Sequence, residues 1–481
     1  MTTPMMVRAH PQSGAQVAGR RWLMAVVLGS MFGAGGIMRA QVPETVFFDV
    51  PDSLVTQPVP APTAQLSAVV DYPADAGRLT LIALLYRPDA LVHGPGPYPT
   101  VIVLHGSGGM WSGDTIANGA KTALRRWGER LAGRGILCLM PDSFNPRGIP
   151  GSFSSRRPQH DPLIDDALCS PNYERPKDVV AALTFLNDLA EVDRDHIGLL
   201  GFSHGSQTGL NAILDPSVDL VNYTVDYVNA QNNTVPLAVP SPVRIPASLP
   251  FPKVGIFYYP GCGHFSYHGS PGSTAAGRYM PDRRMQVIMH HGTADSLLGV
   301  SDPDATPLTG SLYPLKFALA SAAQAAAEGI DNPFVRHHLF DHVNHSFDET
   351  TIETQGNWNT PQESVDEKAN RLARDETLKW LELRLRKHEL TPVPDPNLAD
   401  ALRVRWMGRD QLRYRHLTST NLVQWSQSGG DVIGKGQEVL VPVVLPVEKR
   451  SFHRLEIDPV PAPSNEPENA GFFLSYGDFS Y

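Results

Sequence analysis

Two rhythms of apolar residues alternate along this chain from about residue 79 to residue 387. Short runs predict strands over 79–86, 100–105, 136–141, 197–202, 254–259, 286–291 and 335–340. Between them, Ala120, Leu124, Trp127 and Leu131 recur at helical spacing, and so do Val179, Leu183, Leu186 and Ala190. The alanine-rich stretch 315–328 and the long segment 364–387 predict two further helices. Strands separated by helices of this length make βαβ units. The expected fold class is therefore α/β, a mostly parallel central sheet flanked by helices, spanning residues 66–390. Val101-Ile102-Val103-Leu104 has no polar face, which fits a strand covered on both sides.

Outside this region the pattern changes. Residues 41–65 are proline-rich and predict an extended lead-in. Residues 215–252 interrupt the rhythm with Asn, Thr and several prolines, and read equally as a long surface loop or as a lid over a pocket. After Leu390, Thr-Pro-Val-Pro-Asp-Pro predicts a linker over 391–400. The runs 402–417, 421–427 and 439–445 are short and alternating, with turn signals between them, and predict a small all-β module over 401–459. Residues 460–481 show little periodicity and read as a tail, which disorder would also fit. At the other end, Arg20 and Arg21 precede an uncharged, mostly apolar stretch over 22–37, followed by Ala40. That order predicts a cleavable export signal over 1–40 and a periplasmic or extracellular location; a disordered or membrane-tethered N-terminus is the alternative.

A length of 481 residues allows one large domain and something smaller. The net charge of −9, without a basic block, excludes nucleic acid as the expected partner. There are three cysteines, so at least one thiol is unpaired within the chain and stability must rest on a core. Cys138 sits in an apolar run and reads as a small buried hydrophobe; Cys169 and Cys262 are left as the pair that could bridge.

The chemistry is concentrated at Gly201-Phe202-Ser203-His204-Gly205, which follows the apolar run 197–200 and opens a helical stretch. A G-x-S-x-G between strand and helix is a nucleophile elbow, whose glycines let strand and helix approach each other. A serine hydroxyl needs a histidine base, itself oriented by a carboxylate. With the chain order Ser, acid, His, the best acid is Asp295, which follows the strand 286–291 through a tight Gly292 turn; Asp302 and Asp304 lie further from the strand end. The best base is His345, after the last strand, with His342 the runner-up and His337 and His338 read as packed or solvated side chains. For an oxyanion, one N–H donor is expected from His204. The other is expected from the glycine-rich loop 104–109, at Ser107 or, second, Gly106. His264 and His268 near Cys262 carry no H-E-x-x-H pattern, and no metal or cofactor is expected.

Taken together, the segments VLHGSGG (103–109), PDSFNPRG (141–148), GFSHG (201–205), YYPGCG (258–263), HGTAD (291–295) and HVNHSFD (342–348) resemble the dienelactone hydrolase family of α/β-hydrolases. The resemblance covers about residues 66–388 and implies hydrolysis of esters or lactones, with Ser203, Asp295 and His345 as the triad. It departs at position 203, where family members acting on dienelactone use cysteine; a serine favours a general esterase acting on small or polymeric esters. Arg147 in the PRG piece reads either as an ion-paired structural residue or as a greeter of anionic substrate. The segment 403–458 is similar to small β modules of some secreted bacterial proteins, which implies attachment or sorting at a cell surface. Two other readings stand beside the esterase. One is a prolyl-oligopeptidase-like serine peptidase, and the other is a non-catalytic binding protein on a hydrolase fold.

Overall fold

In the computed structural model, residues 42–55, 59–69, 72–73, 77–151, 169–214, 243–260, 285–295, 338–349 and 364–386 are described in full. Residues 224–228, 234–238, 335–337 and the strands between 391 and 475 are described by their backbone.

The elements run β1 (Glu44–Asp49), α1 (Ala64–Ser67), β2 (Thr80–Tyr86), α2 (Ala90–His93), β3 (Tyr98–Leu104), α3 (Thr122–Gly133) and β4 (Leu137–Asp142). They continue with α4 (Arg175–Asn187), β5 (Val192–Phe202), α5 (His204–Ala212), a hairpin of β6 (Thr224–Val228) and β7 (Thr234–Ala238), then β8 (Val254–Tyr258), β9 (Gln286–Gly292), β10 (Val335–Phe340) and α6 (Val365–Leu385). The central sheet has the order β1-β2-β4-β3-β5-β8-β9-β10. The pairs β1/β2 and β2/β4 are antiparallel, and all neighbours from β4 to β10 are parallel. The two-residue strand Leu474–Ser475 pairs antiparallel with β10.

Alternation along the strands divides the core between two faces. Ile102 and Leu104 of β3 pack with Val179, Leu183 and Leu210 on the side of α4 and α5. Val101 and Val103 pack with Leu124, Trp127 and Leu131 of α3 and with Trp380 and Leu381 of α6. A capping box starts α6: Ser364 accepts from the Glu367 N–H, and Glu367 accepts from the Ser364 N–H.

All seven strands expected from the apolar runs are present. The lead-in over 41–65 differs, because Glu44–Asp49 forms an edge strand of the sheet. Phe48 is buried in the core and Val46 packs against the same core, on the face that alternation along the strand gives both. β5 also begins earlier than its apolar run, since Val192 is buried before a polar stretch. Within 215–252 the β6/β7 hairpin is described. The expected helix over 315–328 lies outside the described residues.

The C-terminal strands are all antiparallel. Leu402–Gly408 pairs with Gln437–Val443, and Leu412–Ser419 pairs with Phe452–Pro459. Thr391–Pro394, inside the stretch read as linker, pairs with Leu402–Arg405 as a further strand.

Candidate active site

Ser203 stands between the end of β5 and the start of α5 with φ 48° and ψ −114°. A non-glycine residue held there is strained by about 1–3 kcal/mol, and the surroundings must hold it. They do so through β8: the Ser203 N–H donates to the Tyr258 carbonyl at 3.0 Å, and Ser206 Oγ donates to the same oxygen at 2.7 Å. The flanking glycines are sterically required. A Cβ on Gly205 would lie 2.1 Å from the Leu104 carbonyl oxygen, and one on Gly201 would lie 2.7 Å from Ser206 Cα.

The acid and the imidazole come from the loops after β9 and β10, which are tied to each other. The Thr293 N–H donates to the Phe340 carbonyl at 2.9 Å, and the Ala294 N–H donates to the Val343 carbonyl at 3.0 Å. The Thr293 hydroxyl donates to Asp341 and accepts from the His342 N–H. These bonds place His345 Nδ1 at 2.6 Å from Asp295 Oδ2, and His345 Nε2 at 2.9 Å from Ser203 Oγ. The Asp295 carboxylate is wholly buried and accepts only, so the Nδ1–H donates to it and Nε2 accepts from the serine hydroxyl.

The rival histidines stand elsewhere. His342 adopts a left-handed φ of 57°, and its side chain is 80% exposed, turned to solvent. His338 is buried against His290, with ring centroids 5.1 Å apart. Asp302, Asp304, Cys262, His264 and His268 lie outside the described residues, as does the side chain of His337. Cys138 and Cys169 are both buried, and burial pushes the Cys138 thiol pKa up. Among the described residues, no group of three His, Cys, Asp or Glu side chains is placed to hold a metal ion. Replacing His342 with Ala is therefore expected to leave kcat/KM for an ester within about twofold of wild type, the usual effect of an exposed substitution. Steady-state kinetics of that variant check it; a loss comparable with that in His345→Ala would shift the base to position 342.

The glycine-rich loop lies beside the serine. The Gly109 N–H donates to the Gly106 carbonyl at 3.1 Å, closing a turn over 106–109. A Cβ on Gly106 would come 3.5 Å from Ser203 Cβ, so the loop passes close to the hydroxyl. Ser107, Gly106, Ser203, Tyr259 and His345 border one cavity of about 210 Å³. Asp348 and Glu349 add acid to its wall, and the described residues lining it include no cation.

Three residues at the site have no role in the sequence reading. His105 is buried, and its Nε2 accepts from the Ser143 N–H at 3.2 Å, so the Nδ1–H donates to the Gly106 carbonyl at 2.8 Å. Burial, then the neighbouring Arg175, holds its pKa well below the usual imidazole range; it is neutral. Tyr259 packs its ring edge-on against His345, centroids 4.6 Å apart, and donates its hydroxyl to Asp348. Arg175 reaches both His105 and His204. Only the glycine loop and YYPG marked these regions in the sequence.

Arg147 is not available to a substrate. It is 2% exposed and gives a bidentate pair to Asp178, with nitrogen–oxygen distances of 2.9 and 2.6 Å, and a bond to the Ser143 carbonyl at 2.8 Å. The adjacent Asp142 carboxylate accepts from the Trp111 indole, the Phe144 and Asn145 N–H groups and the Asn145 amide, which fixes the loop after β4.

The sheet order and a serine raised on the strand–turn–helix junction after β5 define an α/β-hydrolase fold. No family model matches the chain, and none of the curated proteins does. Among solved structures, the chain is similar to a dienelactone hydrolase-like promiscuous phosphotriesterase, P91, from metagenomic libraries. The identity there is 15% and the TM-score 0.38, over 72% of this chain and 99% of that one. A dipeptidyl peptidase 4 from Porphyromonas gingivalis matches at 15% identity and TM-score 0.37, over 72% of this chain and 36% of that one. A putative dienelactone hydrolase from Klebsiella pneumoniae matches at 11% identity and TM-score 0.36, over 70% and 98%. At such scores these likenesses carry no argument about activity.

Proposed function

We propose that this chain is a serine hydrolase that cleaves carboxylic esters through an acyl-enzyme on Ser203. The observation that carries the reading is the unbroken hydrogen-bond chain from Ser203 Oγ through His345 to the buried Asp295 carboxylate. In this reading Ser203 attacks the ester carbonyl while His345 Nε2 takes its proton and hands it to the leaving alcohol. Asp295 keeps the imidazole in the required tautomer and supports its charge. Water then attacks the acyl-enzyme, with His345 again the base. The oxyanion of each tetrahedral intermediate is assigned to the N–H groups of His204 and Ser107.

The cavity favours a small acyl group without negative charge. Its volume of about 210 Å³ is below the several hundred typical of sites for larger ligands, and its described wall is acidic. Export of the protein is part of the proposal, supported by Arg20, Arg21 and the uncharged stretch that follows them.

The test is a series of p-nitrophenyl esters from acetate to octanoate, run beside aminoacyl p-nitroanilides and a fluorophosphonate probe. Acetate to butyrate esters should be turned over fastest, and the probe should label Ser203. Turnover of the anilides without ester hydrolysis would move the reading to a peptidase. No turnover and no labelling would leave a binding protein on a hydrolase fold.

A further inference from the structure

We propose that Arg175 is a positioning residue whose guanidinium sets the width of the oxyanion hole. Arg175 opens α4 and is wholly buried. One terminal nitrogen lies 2.6 Å from His204 Nδ1, and the other donates to the His105 carbonyl at 2.8 Å. Phe144 covers it, the guanidinium carbon lying 5.3 Å from the ring centroid. Among the described residues no carboxylate lies within ion-pair distance of it; Asp178, whose charge favours the guanidinium from further off, is paired with Arg147. Burial lowers its pKa only to about 10, so it is cationic at neutral pH. A desolvated cation without an ion pair is costly, and a neutral side chain of similar volume would pack there at least as well. Packing alone does not account for an arginine.

Its two hydrogen bonds do. The 105–106 peptide, whose N–H belongs to Gly106, has its carbonyl drawn by Arg175. The next peptide, whose N–H belongs to Ser107, has its carbonyl drawn by the His105 Nδ1–H. Each carbonyl so drawn makes its own peptide N–H a better donor, so the His105 ring strengthens the Ser107 N–H while Arg175 acts on the loop by holding the peptide before it. On the other side, the guanidinium holds the imidazole of His204, the residue after the nucleophile. A planar, rigid fork that touches both walls fixes the distance between the glycine loop and the start of α5. It also donates to the His204 Nδ1 lone pair, which fixes the orientation of that ring.

The inference rests on the serine-hydrolase reading, and its test separates the two. R175M and R175K would be compared with wild type in p-nitrophenyl acetate kinetics, fluorophosphonate labelling rate, inhibition by a trifluoromethyl ketone and thermal melting. R175M should lower kcat by about ten- to a hundredfold with KM within about threefold, and weaken the ketone by the same factor as kcat, because misplacement by an ångström has that effect. Its melting temperature should fall little or rise. R175K, which keeps the charge but not the fork, should lie between. A wild type that neither labels nor hydrolyses ends the underlying reading, and this inference with it. A labelling wild type with a folded R175M of unchanged kcat and ketone affinity overturns the inference alone, as does lost activity that only tracks lost folded protein. If R175M does not fold, R175K decides: an unchanged kcat there overturns the inference.

Discussion

Ser203→Ala is expected to lower kcat for p-nitrophenyl acetate by more than about a thousandfold while leaving the fold intact. The hydroxyl is the only atom group removed, and with it goes the proposed acyl acceptor, to which His345 is aimed at 2.9 Å. Alanine meets the same backbone demand at φ 48° as serine, so the turn itself is not further strained. What survives is attack by water assisted by the N–H donors and the imidazole. Groups that act as one unit do not add, so Ser203→Ala combined with His345→Ala should be little slower than either alone. Burst and steady-state kinetics, with fluorophosphonate labelling, measure this. A loss of less than about tenfold in Ser203→Ala would remove the serine from the mechanism.

Asp178→Ala is expected to cost about 3–5 kcal/mol of folding stability. It would leave the Arg147 guanidinium, 2% exposed, without its bidentate partner and, among the described residues, with only the Ser143 carbonyl as an acceptor. The penalty comes from the stranded charge rather than from the lost attraction. Removing both charges in Arg147→Met with Asp178→Leu should therefore cost much less than Asp178→Ala alone. Urea denaturation of the three variants tests the order; a single-variant loss below about 1 kcal/mol would mean that water reaches Arg147.

How much of this was legible in the sequence follows from the range of each signal. Strands and helices were readable because a run such as Val101–Leu104 or the spacing of Leu124, Trp127 and Leu131 is local and declares its own burial. Ser203, Asp295 and His345 were readable as candidates because each follows a strand in a fixed order, and the structure brings them within hydrogen-bonding distance. Between His342 and His345, three residues apart, the choice needed the backbone: a left-handed turn at 342 sends that side chain out. Arg175, His105 and Tyr259 were not legible. Arg175 finds its acceptors 29 and 70 residues away, and Tyr259 finds Asp348 89 residues away, with no spacing rule linking them. The edge strand over Glu44–Asp49 was hidden for a similar reason, since it is stabilised by pairing with β2 rather than by its own pattern.

Ser203, Asp295 and His345 follow the ends of three different strands of one sheet, β5, β9 and β10, with 92 residues from Ser203 to Asp295 and 50 from there to His345. On the proposed reading, the stretches between those strands would choose the substrate while the strand ends hold the groups that break the bond. A new recognition surface grafted between β8 and β9 would then have to keep Tyr259, whose ring packs on His345.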